Sequence, residues 1–129
     1  MKHPVVLLYQ IPEQEKVRLM QILRLHQCSA VTVAKEQYGT ALGVLAGMAE
    51  AKEAAPVYKG KELPESMMVF CGCSDAQLDS LLSALRKAGV QIGLKAVLTP
   101  SNQYWTAGML YFELAKERQA FLDLQKKKL

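Results

Sequence analysis

Two cysteines separated by one glycine, in Cys71-Gly72-Cys73, are the residues of this sequence best suited to chemistry. They follow a short apolar run and precede a segment typical of a helix start, and the N-terminus of a helix favours the thiolate form of cysteine. A structural zinc site needs four ligands, usually from paired motifs, and Cys28, His3 and His26 have no such spacing. We therefore expect no metal. The remaining alternatives are burial as small core residues, which is the simpler one, and redox sensitivity.

A second candidate is the polar segment Thr99-Pro100-Ser101-Asn102, which lies between a strand-like run and the last helical segment. A helix starting at Ser101 has no acidic residue in its first turn, whereas the helices starting near Glu13 and Asp75 do. The positive end of a helix dipole attracts anions when no side chain already compensates it, so this segment suits a small polar or anionic ligand. The alternative is that Ser101 or Asn102 only caps the helix.

Motifs for catalysis and for cofactor binding are not recognisable. Two isolated histidines, without a serine or an acid placed by a motif, do not form a catalytic constellation. Gly39, Gly43 and Gly47 do not follow the dinucleotide-binding pattern. The net charge of +4 includes three lysines at positions 126–128, which leaves no basic cluster on a folded face. An enzyme is thus the least supported class, no cofactor is expected, and nucleic-acid binding is disfavoured.

The elements that position these residues alternate between strands and helices. Helices are predicted over residues 12–27, 40–48 and 74–89, and from residue 101 into the C-terminal tail. The third has a capping box of Ser74 and Gln77, and an apolar stripe formed by Leu78, Leu81, Leu82 and Leu85. Short apolar runs predict four strands: Val5–Tyr9, Ala30–Val33, Met67–Cys71 and Leu94–Leu98.

The two halves of the chain resemble each other. Val5–Tyr9 and Met67–Cys71 correspond at an offset of 62 residues (67 − 5), and Gln37–Ala41 matches Gln103–Ala107 at an offset of 66 (103 − 37). The pattern suggests an internal duplication within a single domain, residues 1–129. Its expected parts are repeat one (4–48), a polar loop (49–66), repeat two (67–125) and a basic tail (126–129).

Alternating strands and helices favour an α/β fold with a four-stranded parallel sheet and right-handed crossovers. The first and third strands are apolar throughout and belong in the centre, which favours the order 2-1-3-4. A ferredoxin-like α+β sheet of order 4-1-3-2, with extra helices, is the alternative. In the favoured sheet, ligands bind at the carboxyl ends of the strands, where the first and third meet. The expected lining residues are Gln10, Cys71, Gly72, Thr99, Ser101 and Asn102.

Binding and assembly are the function classes that remain. The favoured one is a small cytoplasmic ligand-binding or regulatory module without catalytic activity. A protein-interaction module is the alternative, because Phe121, Leu122 and Leu124 lie beyond what a small sheet covers and suit a homodimer through the C-terminal helix. A cytoplasmic location fits the odd number of three cysteines, and no apolar run approaches the ~18 residues of a membrane span.

A resemblance to a known family is carried by segments that follow in order: Val5–Tyr9, Tyr38-Gly39 with Leu42-Gly43, Phe70-Cys71-Gly72, Leu94–Pro100, and Asn102-Gln103 with Trp105. Together they resemble the bacterial family catalogued as domain of unknown function 3783, over nearly the whole chain except residues 49–66 and the lysine tail. The resemblance implies a small, stand-alone bacterial protein. It implies no activity, so no catalytic residue is carried over from it.

Overall fold

A sheet of four strands forms the centre of the fold in the computed structural model, which describes residues 3–50 and 55–127. The strands are β1 (Val5–Tyr9), β2 (Ser29–Val33), β3 (Met67–Cys71) and β4 (Leu94–Val97). Their order is β2-β1-β3-β4, which confirms the predicted order and excludes the ferredoxin-like one. β1 and β3 are central because their sequences are apolar throughout, and layers of helix and loop cover both of their faces.

Helices cover the sheet on both sides. Within the described residues they are α1 (Glu13–Leu25), α2 (Leu42–Leu45), α3 (Asp75–Lys87) and α4 (Ala107–Lys127). α1 and α3 pack against each other on one face, and α2 and α4 cover the other, so the sheet is the middle of three layers. The predicted lysine tail continues α4 as far as Lys127. Residues 128–129 of the predicted tail and residues 51–54 of the predicted loop lie outside the described part.

The two central strands run antiparallel, which differs from the expectation of a wholly parallel sheet. The pairs β1–β2 and β3–β4 are parallel as predicted, whereas β1 meets β3 with Val5 opposite Cys71 and Tyr9 opposite Met67. The physical reason lies in the crossovers. From β1 the chain crosses over toward one edge of the sheet, and from β3 it crosses over toward the other edge. When both crossovers are right-handed, their helices lie on the same face only if β1 and β3 are antiparallel. α1 and α3 share a face and a core, so the antiparallel pair follows.

The face covered by α1 and α3 has an aliphatic core, called here the α1/α3 core. It is built from alternate residues of the central strands and from both helices: Val6, Leu8, Met68, Phe70, Leu19, Leu23, Leu81 and Leu85. Of the predicted stripe on α3, Leu81 and Leu85 are buried, while Leu78 and Leu82 are only partly buried at the margin of this core. Because Phe70 is buried here, it offers no surface on which a nucleic-acid base could stack.

The opposite face carries a row of tyrosines. The ring of Tyr9 in β1 lies 5.6 Å from that of Tyr38, which in turn lies 5.5 Å from the ring of Tyr58, measured between centroids. The hydroxyl of Tyr38 donates a hydrogen bond to the carboxylate of Glu62. Tyr58 and Glu62 thereby attach residues 55–66 of the predicted polar loop to this face.

Candidate functional site

The antiparallel central pair divides the predicted site between the two ends of the sheet. At the Gly72 end, β3 and β4 finish and β1 and β2 begin; at the Gln10 end, β1 and β2 finish and β3 and β4 begin. Five of the six predicted lining residues follow or end β3 and β4, and therefore lie toward the Gly72 end. Gln10 is separated from them by the length of a strand, about 17 Å. The structure does not bring it together with the others, because the carboxyl ends of β1 and β3 point in opposite directions.

Thr99 and Asn102 form a closed hydrogen-bonded turn after β4. The N–H of Thr99 donates to Oδ1 of Asn102 at 2.8 Å, and the N–H of Asn102 donates to Oγ1 of Thr99 at 3.0 Å. The side-chain amide of Asn102 also donates to the carbonyl of Val97 at 3.0 Å, and the residue is only 8 % exposed. Ser101 is exposed and makes no capping bond. Backbone groups of Thr99 and Val97 therefore engage Asn102 within the turn. The alternative that Ser101 or Asn102 caps the last helix is wrong, because that helix begins only at Ala107.

The last helix begins later than predicted, at Ala107 rather than Ser101. Residues 102–104 form a separate 3₁₀ turn, and Trp105 follows in an extended conformation with φ −80° and ψ 153°. The carbonyl of Trp105 accepts a hydrogen bond from the N–H of Leu42 at 2.9 Å. A contact with α2, which is distant in sequence, thus stabilises the interruption between the 3₁₀ turn and α4. The local sequence pattern does not reveal this contact. The helix start without an acidic residue is consequently at Ala107.

The two cysteines of the predicted motif face opposite sides of the sheet. Cys71 is fully buried in the core beside Tyr9, and burial, together with the neighbouring Cys73, raises the pKa of its thiol to about 12. Cys73 is partly exposed and packs at the margin of the α1/α3 core. Cys71 is therefore a core residue, and Cys73 is the accessible member of the motif.

Cys73 meets Cys28, a pairing that the sequence interpretation missed. Both side chains pack at the margin of the same core, and the thiol of Cys28 donates to the carbonyl of His26 at 3.6 Å. Burial raises the pKa of both thiols. The neighbouring Cys73 lowers the pKa of Cys28 in part, whereas the neighbouring Cys28 raises the pKa of Cys73 further. The sequence offers no signal for this pair, because a parallel β3 would place Cys73 at the opposite end of the sheet from Cys28. In the structure Val5 lies between Ser29 of β2 and Cys71 of β3, so the residues just outside those two positions lie at the same end, the Gly72 end.

Surface clefts surround this pair of thiols. A cleft of about 550 Å³ is lined by residues that include His3, Gly72, Cys73 and Gln77. A neighbouring cleft of about 370 Å³ is lined by Cys28 and by the same Gln77. Among the residues that the structure describes, no three His, Cys, Asp or Glu side chains are grouped as a metal ion would require. The groups available at this end are therefore two neighbouring thiols and polar side chains that can hydrogen-bond to a small molecule.

The C-terminal part of α4 extends beyond the body of the protein. Arg118 donates two hydrogen bonds to Glu65, at 2.9 and 2.6 Å, and the hydroxyl of Tyr111 donates to the same carboxylate at 3.2 Å. The bonds from Arg118 lower the pKa of Glu65. Residues 119–127, called here the projecting segment, are all exposed. They include three large apolar side chains: Phe121, Leu122 and Leu124.

Comparison with known proteins adds a family but no activity. Residues 66–121 match the family described as Domain of unknown function (DUF3783), which confirms the resemblance over β3, α3, β4 and most of α4. No curated protein and no solved structure shows a significant match to the chain. Across residues 3–50 and 55–127, none of the helices combines the length and the apolar character that crossing a membrane requires. Because the family is of unknown function, it transfers no activity to this chain.

Proposed function

We propose that this protein is a small interaction module that associates with a second copy of itself through the projecting segment. The observation that carries the proposal is an exposed apolar cluster on the projecting segment. Leu110 and Leu114 pack against the core beneath α4. Phe121 lies seven residues after Leu114 (121 − 114) and therefore on the same side of the helix. Glu117 and Arg118 occupy the intervening turn on this side, so the apolar side chains of the projecting segment form a separate cluster. An apolar cluster that its own chain leaves uncovered is typical of an interaction surface.

An antiparallel pair of α4 helices fits this geometry. In a parallel pair, the partner helix would follow the same face back toward Leu110, where the sheet already lies. In an antiparallel pair, the two helices overlap only along their projecting segments and then run apart, and their dipoles oppose each other favourably. The nine residues of each segment span about 13 Å. So short an overlap gives a small interface, and we expect a reversible, concentration-dependent dimer.

The distribution of charge along α4 supports the same arrangement. Lys116 and Arg118 of this region pair with Glu113 and Glu65, so Glu117 is the acid that directly precedes the projecting segment, which Lys126 and Lys127 end. Antiparallel packing brings the lysines of one copy toward Glu117 of the other, whereas parallel packing brings lysines beside lysines. Exposed ion pairs contribute little free energy individually. Their effect is therefore expected on the orientation of the two helices more than on affinity.

Sedimentation velocity over a concentration series tests this function. The wild-type protein is expected to shift from monomer toward dimer as its concentration rises, and Phe121→Ser and Leu124→Ser are expected to remain monomeric over the same range. Phe112→Ser is the matched control, because Phe112 lies on another side of α4 and is 63 % exposed, against 60 % for Phe121. A wild-type monomer at every concentration would refute the proposal. So would a dimer that Phe112→Ser dissociates and Phe121→Ser does not.

A second candidate function is the binding of a small polar or anionic ligand at the Gly72 end. The cleft of about 550 Å³ that includes His3, Gly72 and Gln77 favours it. Thermal-shift measurements with inorganic phosphate, small carboxylic acids and nucleotides provide the test. We expect one class to raise the melting temperature in a concentration-dependent way, and His3→Ala to remove the rise. A flat response across the panel speaks against ligand binding.

We also infer a bacterial, cytoplasmic setting and an origin by internal duplication. The family resemblance supports the bacterial source, and three unpaired cysteines support a reducing compartment, which thiol labelling of intact against lysed cells would test. Duplication is supported by the similar structures at the two matched segments, 37–41 and 103–107. Each begins within a 3₁₀ turn and leads into a helix.

A further inference from the structure

Cys28 and Cys73 form a pair of thiols that self-association does not use. Cys28 directly precedes β2 and Cys73 lies two residues after β3, so both are at the Gly72 end, at the margin of the α1/α3 core. Both side chains pack against the same core, and the two clefts that share Gln27 and Gln77 give each of them access to solvent. Each thiol also shifts the pKa of the other, as adjacent groups do. We propose that Cys28 and Cys73 close an intramolecular disulfide on reaction with a low-molecular-weight disulfide, such as oxidised glutathione, and that reduced glutathione reopens it.

The reaction is a two-step thiol–disulfide exchange. In the first step, the thiolate of one cysteine attacks a sulfur of oxidised glutathione, forms a mixed disulfide and displaces a glutathione thiolate, which takes up the proton that the cysteine released. In the second step, the other cysteine loses its proton, attacks the protein-side sulfur of the mixed disulfide and displaces the second glutathione. The two cysteines together lose two protons and two electrons. Oxidised glutathione gains both and leaves as two thiols.

Either cysteine can react first. Cys73 lines the cleft of about 550 Å³ and directly precedes Ser74, the N-cap of α3, where the helix dipole favours a thiolate. Cys28 lines clefts of about 370 and 580 Å³. Because burial raises the pKa of both thiols and only the thiolate attacks, the exchange is expected to accelerate as the pH rises above neutral. Cys71 takes no part, since it is fully buried on the other face of the sheet.

The disulfide would connect the two halves of the fold. Cys28 follows α1 and Cys73 precedes α3, so the bond would join the end of the first crossover to the start of the second. It would close a loop of 46 residues (73 − 28 + 1), which restricts the unfolded chain. The oxidised protein is therefore expected to melt at a higher temperature than the reduced protein.

Incubation of the full chain with oxidised and reduced glutathione in varied ratio tests the proposal. Mass spectrometry and thiol counting are expected to show that oxidation removes two of the three thiols, leaves no glutathione on the protein and raises the melting temperature. Cys71→Ser should behave in the same way. In Cys28→Ser, Cys73 should instead retain one glutathione, because no second thiol is present to displace it.

Several results would overturn this inference. One is a wild-type protein that keeps all three thiols at equilibrium with oxidised glutathione alone, or that retains the mixed disulfide. Another is a disulfide between two copies, seen on non-reducing gels. A third is a peptide map that links Cys71 to either of the other cysteines. Circular dichroism of each variant in the reduced state confirms that it is folded before its reactivity is compared, and the wild-type result alone already decides the question.

Discussion

The two strand–helix–strand units of this protein bury equivalent residues but end their helices differently. Leu23 of α1 and Leu85 of α3 are buried at positions 62 residues apart (85 − 23). α3 begins with the capping box of Ser74 and Gln77 and is followed by Gly89 at φ +70°. α1 begins after Pro12 with no side-chain cap, and the equivalent position after it is Gln27, held at φ +59°.

Contacts with the second unit compensate for the weaker ends of α1. Glu15 is only 7 % exposed and accepts hydrogen bonds from Arg18 at 3.0 Å and from the N–H of Gln91 at 3.2 Å. Arg18 also donates to the carbonyl of Ala88, at the C-terminus of α3, where a cation is favoured. The ends of the helix in the second unit are thus specified mainly by residues within that helix and next to it. The first unit depends on the second for some of the hydrogen bonds of α1. Four predictions test this difference.

The largest effect is expected from the shared core. Leu23→Ala and Leu85→Ala should each lower the free energy of unfolding by about 2–5 kcal/mol, since each leaves a cavity in the same aliphatic layer. Urea unfolding gives the two values. Leu25→Ala is the control, because Leu25 is 82 % exposed and should cost little. A cost below about 1 kcal/mol for either buried leucine would mean that the units do not share this core equally.

The contact between the units comes next. Glu15→Ala leaves the N–H of Gln91 without its acceptor, removes one of the two acceptors of Arg18 and should cost about 1–3 kcal/mol. Glu13→Ala is the matched control, because Glu13 forms only an exposed pair with Lys16. Equal costs for the two variants in urea unfolding would show that α1 does not rely on this contact.

The helix N-termini should differ by a smaller amount. Ser74→Ala removes the side-chain acceptor of the Gln77 N–H and should cost about 1 kcal/mol. Pro12→Ala removes no capping bond and is expected to cost less. Thermal unfolding of both variants, with Ser74→Asn as a conservative replacement that keeps a cap, checks the prediction. A larger loss for Pro12→Ala would reverse the ranking of the two helix starts.

The smallest effect is expected at the helix C-termini, and its sign differs between the units. Gln27→Gly should stabilise the protein by about 0.5–1 kcal/mol. Glycine adopts the left-handed backbone conformation without steric cost, and its greater conformational entropy in the unfolded chain offsets only part of this gain. Gly89→Ala should destabilise by a similar amount. An added Cβ at Gly89 would meet nothing closer than Arg18 at 3.9 Å, so the cost would come from the backbone conformation alone. Melting temperatures that move in the same direction for both variants would contradict this assignment.

Much of the second unit is predictable from sequence because its signals are local. The capping box at Ser74, the glycine that ends α3 and the apolar run of β3 each act within a few residues. The candidate site was less predictable. Asn102 was identified as a capping or binding residue, but its bonds to Thr99 and Val97 depend on how the chain turns after β4. The contact of Cys28 with Cys73 was missed, because it joins residues far apart in sequence.

The sequence by itself determined the alternation of strands and helices, the central position of β1 and β3, and the apolar faces of α1 and α3, because helical periodicity and uninterrupted apolar runs are visible in residue type. It favoured the strand order 2-1-3-4, and the structure excluded the ferredoxin-like alternative. The tertiary structure alone decided the direction of β3 relative to β1. Residue types at central strands do not distinguish parallel from antiparallel neighbours, and the choice follows from placing α1 and α3 on one face so that they bury each other. That choice sends Gln10 to one end of the sheet and Cys73 to the other, where it meets Cys28.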